Sequence, residues 1–224
     1  MPDGVASVRE QAVFTTAPAS LDHAATRSAG VTRFREGVVA TEALPAWWSD
    51  PSLPLVYVTF GSVTATIGLF PDLYRAVIAR LADLPVRALV TLGEAGDPEA
   101  LDPVPPNVHV ERWWPQSDVI GRAAAMVCHG GFGTVLSGLA SGLPMVVMPL
   151  FADQWFNAER VEAVGAGLQL VGGLDIVHGL PEALMRVLGD ARFREAAGRV
   201  RAEIESQVPV EESVAMLEAF GRAS

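Results

Sequence analysis

The stretch from Ala125 to Leu150 reads AMVCHGGFGTVLSGLASGLPMVVMPL, and it contains no Asp, Glu, Lys or Arg. Thirty uncharged residues, Ala123 to Ala152, would suit a membrane helix by hydropathy alone. A spanning helix, however, needs about 20 unbroken apolar residues. Here Gly130, Gly131, Gly133, Gly138, Gly142, Pro144 and Pro149 break the run. The reading is strand (Ala125–His129), glycine-rich loop, helix (Gly133–Gly142), then a second strand (Met145–Leu150). A loop of that kind leading into a helix leaves backbone N–H groups unpaired, with the positive end of the helix dipole behind them. That combination suits a phosphate group. Thr134 adds a hydroxyl, and His129 stands at the loop entrance. No Lys follows the glycines, so this is not a Walker A loop. Gly131-x-Gly133 also lacks the third glycine of a dinucleotide fingerprint.

The same grammar extends in both directions. Apolar runs at Leu55–Phe60, Arg87–Leu92, Val108–Trp113 and Gly167–Val171 lack polar alternation, as strands covered on both faces do. Helical patterns fall at Leu69–Leu84, Ser117–Ala124, Asp153–Val164, Leu180–Leu188, Ala191–Val208 and Val210–Phe220. Alternation of this sort predicts an α/β fold, a Rossmann-like open parallel sheet flanked by helices. Ligands then sit at the carboxyl ends of the strands. Residues 1–46 differ: they are rich in Ala, Ser and Thr, with short segments (Gln11–Thr15, Val31–Phe34) able to extend. They are expected to form a tail or interdomain linker, and 47–224 the domain.

The residues that follow each strand are therefore the site candidates. Gly61-Ser62 is either an ordinary tight turn or a backbone donor pair facing a ligand. Trp113-Trp114-Pro115-Gln116 places two aromatic rings at a strand end. One suits the core and the other can stack on a nucleobase, worth about 1–3 kcal/mol. Asp153-Gln154 offers acceptors and donors for vicinal sugar hydroxyls, and Asp153 could equally cap the helix it opens.

The bulk properties exclude other classes. A net charge of −10, a pI near 4.8 and 16 scattered Lys+Arg argue against nucleic-acid and anionic-membrane partners. The single cysteine, Cys128, excludes an internal disulfide and suits a reducing compartment. Asp3 and Glu10 stand where a leader's basic and apolar regions would be, so a cytoplasmic location is expected. There is no Asp-x-Asp diphosphate clamp, no zinc cluster and no nucleophile elbow. Neither a metal nor another cofactor is expected.

Taken together, Trp113-Trp114-Pro115-Gln116, His129-Gly130-Gly131-Phe132-Gly133-Thr134, Gly142-Leu143-Pro144 and Asp153-Gln154 resemble the donor-binding signature of family 1 glycosyltransferases with the GT-B fold. The likeness is to the bacterial branch that decorates antibiotics and other natural products, and to its C-terminal domain. Leu44-Pro45-Ala46-Trp47-Trp48 resembles the passage between its two domains. The resemblance implies an inverting, metal-independent transfer from a nucleotide sugar to a small acceptor such as a polyketide or macrolide aglycone. It assigns Trp113 to the base, with the Trp114 backbone and Gln116 beside it. His129, Gly130, Gly131, Gly133 and Thr134 go to the diphosphate, with Gly61 and Ser62 opposite, and Asp153 and Gln154 to the sugar. Where UDP-sugar users carry a ribose-gripping glutamate, this chain has Ser137, which is compatible with a deoxyribose; a dTDP-sugar is the expected donor and a UDP-sugar the alternative. The catalytic base is expected in an acceptor-binding N-terminal domain, because His23, His109 and His178 fit no matching motif. This chain is therefore expected to bind donor without transferring sugar, and bare docking surface would favour a homodimer. A separate donor-binding subunit of a split transferase remains a competing reading, as does a nucleotide-sugar epimerase.

Overall fold

Strand formation follows from side-chain alternation with both faces covered. In the strand Leu55–Thr59, Leu55 and Tyr57 enter one apolar cluster while Val56 and Val58 enter another. The computed structural model describes residues 13–22, 30–37, 44–45, 52–172 and 174–223. The strands are β1 (Val13–Thr15), β2 (Val31–Arg35), β3 (Leu55–Thr59), β4 (Arg87–Thr91), β5 (Val108–Glu111), β6 (Ala125–Cys128), β7 (Met145–Val147), β8 (Gly167–Gln169) and β9 (Val208–Pro209). The helices are α1 (Asp72–Leu81), α2 (Gln116–Ile120), α3 (Phe132–Ala140), α4 (Gln154–Ala163), α5 (Leu180–Gly189), α6 (Ala191–Glu205) and α7 (Ser213–Ala223).

Six strands form one fully parallel sheet in the order β5-β4-β3-β6-β7-β8. One face is covered by α1 and α5, through Leu73, Val77, Leu81, Leu180 and Leu184. The other carries α3, α4 and α6, through Leu139, Val161, Val200 and Ile204. From β3 the chain runs out through β4 and β5, then returns to pair β6 on the opposite side of β3. That reversal opens a crevice between β3 and β6 at their carboxyl ends. Registers Thr59↔Thr91, Thr59↔Cys128 and Thr91↔Glu111 keep the strand ends level, so the loops after them meet at one rim.

Several elements are shorter than their patterns predict, for local reasons, whereas β2 and α5 each run one residue further, to Arg35 and Gly189. α1 starts at Asp72, not Leu69, because Pro71 holds the preceding position. β5 stops at Glu111, two residues short of Trp113. α6 ends at Glu205, and Val208, expected as its last residue, is extended because Pro209 follows it. Val208–Pro209 instead pairs with β2, which also pairs with β1, in a second three-stranded parallel sheet. The described parts of the N-terminal stretch thus pack on the domain: Leu21 joins the core and Phe34 is buried. The expectations for Gln11, His23 and Ala46–Trp48, and the boundary at residues 46 and 47, lie outside the described residues. Among the described residues no helix is long and apolar enough to cross a membrane. The uncharged run of residues 123–152 folds as β6, α3 and β7.

Candidate donor site

The crevice between β3 and β6 is a cavity of about 500 Å³. Its walls come from the Gly61–Ser62 turn, the Trp113–Gln116 segment, the His129–Thr134 loop and Gln154.

His129 is the most constrained of these residues. It is 9% exposed, and its Nδ1 is buried without a hydrogen-bond partner. A β-carbon built on Gly61 would lie 2.8 Å from its Nε2, and one built on Gly131 would lie 2.5 Å away. Only glycine allows the imidazole this slot. Gly61 is also in the left-handed region, at φ 77°. Burial lowers the His129 pKa, while the Asp153 carboxylate and the Thr59 backbone act in the opposite sense. The ring is therefore a neutral group in the wall of the cavity.

α3 begins at Phe132, and Gly131 supplies no side-chain cap. The first intrahelical bond runs from the Val135 N–H to the Gly131 carbonyl, at 3.0 Å. The N–H groups of Phe132, Gly133 and Thr134 therefore have no helical partner. All three residues line the cavity, so the free donors and the dipole there suit a negatively charged group. On the opposite wall, Gly93 (φ 82°) packs so closely that an added β-carbon would fall 3.0 Å from the Ser62 Cα. This positions the Gly61–Ser62 turn.

The two tryptophans divide as a strand end permits. Trp113 is 61% exposed at the cavity, while Trp114 packs against the core. Gln154 is buried, and its Oε1 accepts from the Leu150 and Phe151 N–H groups at 2.8 and 2.9 Å. Its carbonyl is thus committed to the loop, and the amide N–H groups are what it can offer a ligand.

Three expected residues stand elsewhere. Gly130 (φ 87°) shapes the loop, and a β-carbon there would fall 2.8 Å from Val147 Cγ1. Ser137 lines a neighbouring cavity, and its hydroxyl donates to the Gly133 carbonyl at 2.8 Å. Asp153 borders a third, smaller cavity, beside Asp22 and Arg160. Adjacent residues at a helix start point about 100° apart, so Asp153 and Gln154 reach different cavities. Nor does Asp153 cap α4 with its side chain; its Oδ2 accepts from Asn157 Nδ2 at 3.0 Å. Asn157 Nδ2 also donates to the Gly130 carbonyl at 2.8 Å. Sequence reading missed Asn157 as part of the site. The available signal was its i+4 spacing from Asp153. Among the described residues no three His, Cys, Asp or Glu side chains gather into a group able to hold a metal.

Residues 75–220 match the family described as erythromycin biosynthesis protein CIII-like, C-terminal domain. The chain belongs to this family. It is 33% identical over 176 residues to 4'-demethylrebeccamycin synthase of Lentzea aerocolonigenes, an alignment covering 78% of this chain and 40% of that protein. Among solved structures it resembles the glycosyltransferase SnogD of Streptomyces nogalater, with TM-score 0.76 and 30% identity, over 93% of this chain and 57% of that one. It is also similar to the spinosyn rhamnosyltransferase SpnG complexed with thymidine diphosphate, with TM-score 0.78 and 26% identity, over 93% and 56%. The chain thus corresponds to the C-terminal, donor-binding domain of antibiotic glycosyltransferases with the GT-B fold. It spans about 40% of the length of the curated relative it matches.

Proposed function

We propose that this chain is the donor-binding half of an inverting, metal-independent glycosyltransferase that moves a sugar from dTDP to a small natural-product acceptor. The observation that carries the reading is the neutral His129 imidazole, slotted between Gly61 and Gly131 at the mouth of α3. An incoming diphosphate receives the free N–H groups of Phe132, Gly133 and Thr134, the Thr134 hydroxyl and the Ser62 turn. His129 donates to it from a neutral ring, so the site opposes the ligand's charge without burying an unpaired cation. Trp113 stacks on the base, and the Gln154 amide N–H groups meet the donor sugar. An acceptor hydroxyl, deprotonated by a base in a separate acceptor-binding domain, attacks the anomeric carbon as its bond to the diphosphate breaks. Preorganised donors around the departing oxygens stabilise the developing charge. The preference for dTDP is supported by Ser137 and by the likeness to a transferase solved with thymidine diphosphate. The Ser137 hydroxyl already donates to the Gly133 carbonyl, so towards a nucleoside sugar it can act only as an acceptor.

Calorimetric titration with dTDP and UDP, each with and without EDTA, tests the reading. Micromolar dTDP binding, weaker UDP binding and no effect of EDTA are expected. Equal or tighter UDP binding would overturn the nucleotide assignment, and binding of neither would overturn the donor-domain reading for the isolated chain. Sugar turnover by this chain with a phenolic or macrolide acceptor would overturn the need for a second domain.

A further inference from the structure

The largest cavity described, about 640 Å³, adjoins the donor cavity and shares Gln116, Phe132, Gly133 and Thr134 with it. Its far wall is not part of the domain's main sheet: Phe34, Arg35 and Glu36 come from the end of β2. Arg35 is the only cation among its described lining residues, and its Nε is buried without a hydrogen-bond partner. Glu36 is the only anion there and is exposed. β2 is held in place by pairing with β9, at Phe34↔Val208 and Arg35↔Pro209, and by burial of Phe34. Arg35 therefore stands on an anchored strand. A guanidinium with a desolvated, unpaired N–H is costly unless an acceptor arrives. Ser137 and Gln116 line the same cavity as Arg35, and Ser137 is one helical turn beyond Gly133.

If the chain holds a nucleoside diphosphate as proposed above, the diphosphate at the head of α3 directs the nucleoside along this shared edge. We infer that Arg35 completes the nucleoside end of the donor site, its guanidinium donating to an oxygen of the nucleoside's base or sugar. The stretch that precedes the domain then serves as one wall of the binding site as well as a connection. Arg35 is a specificity-determining residue: it reads the nucleoside and leaves the diphosphate to α3.

The test titrates dTDP and inorganic pyrophosphate into the wild-type, Arg35→Ala and Arg35→Lys chains, with unfolding midpoints measured for each. Arg35→Ala is expected to weaken dTDP binding about tenfold with an unfolding midpoint no lower than that of the wild type. Pyrophosphate binding should stay at the wild-type level, and Arg35→Lys should restore only part of the dTDP loss, since an ammonium lacks the planar fork. Wild-type dTDP affinity in Arg35→Ala overturns the assignment while leaving the donor-domain reading intact. An equal loss for pyrophosphate also overturns it, by showing an effect on the phosphates or the fold. Failure of the wild-type chain to bind dTDP removes the reading on which it rests.

Discussion

Asn157 and Gly130, 27 residues apart in the chain, are joined by a 2.8 Å hydrogen bond from the Asn157 side-chain amide to the Gly130 carbonyl. The same nitrogen donates to Asp153 Oδ2 at 3.0 Å, so one buried side chain ties the phosphate loop to the start of α4. Asn157→Ala leaves the Gly130 carbonyl buried and unpaired, and an expected destabilisation of about 1–3 kcal/mol follows. Asn157→Asp, of equal size but with no donor, should cost at least as much. Denaturant unfolding measures both, and a wild-type midpoint for Asn157→Asp would remove the positioning role.

Gly131→Ala and Gly133→Ala should separate fold from ligand. At Gly131 the backbone conformation (φ −58°, ψ 134°) suits alanine, but the new β-carbon would sit 2.5 Å from His129 Nε2. The packed imidazole must shift, at a cost of about 1–3 kcal/mol, and dTDP binding should fall with it. At Gly133 nothing lies within 4 Å of an added β-carbon, and alanine is the better helix former by up to about 1 kcal/mol. Gly133→Ala should keep or raise the unfolding midpoint while lowering dTDP affinity. Unaltered affinity would argue against a phosphate at that turn.

The burial that lowers the His129 pKa makes stability depend on pH in a defined window. An unfolded histidine titrates at roughly 6.5. Below that pH the unfolded chain takes up a proton that the folded chain resists, so stability falls as pH drops from about 6.5 towards the folded-state value. Above it this contribution is flat. Thermal melts of wild type and His129→Gln from neutral to mildly acidic pH should show a shallower slope for the variant. Parallel slopes would mean that His129 is not the buried neutral group.

Trp113→Ala and Trp114→Ala should differ in kind. Trp113 is mostly exposed, so its loss should move stability by less than about 0.5 kcal/mol. It should weaken dTDP binding by about 1–3 kcal/mol if the base stacks there. Trp114 packs on the core, and its truncation should destabilise by about 3 kcal/mol. Unfolding curves paired with fluorescence titration of dTDP distinguish the two; unchanged dTDP affinity in Trp113→Ala would remove the stacking role.

The parallel sheet was legible from runs such as Val56–Val58 and Ala125–Cys128, because strands covered on both faces carry continuous apolar residues. The phosphate loop was legible because glycines and a helix start are local features. Asn157 was not, since its partners are the adjacent turn and a carbonyl 27 residues away. Pairing of Val208–Pro209 with β2 was equally hidden: two residues carry no period, and their strand character comes from the partner. Asp153 and Gln154, adjacent in the chain, line different cavities because the helical rotation between neighbours separates their side chains.

Composition, periodicity and four short motifs thus determined the fold class and the place of the glycine-rich loop that opens α3, because backbone propensity and strand-end position act within a few residues. Tertiary structure alone decided that His129 is buried and wedged between two glycines, that Trp113 rather than Trp114 is exposed, and that Arg35 and Ser137 line one cavity. Those facts depend on burial and on contacts between distant segments, and a linear pattern carries neither.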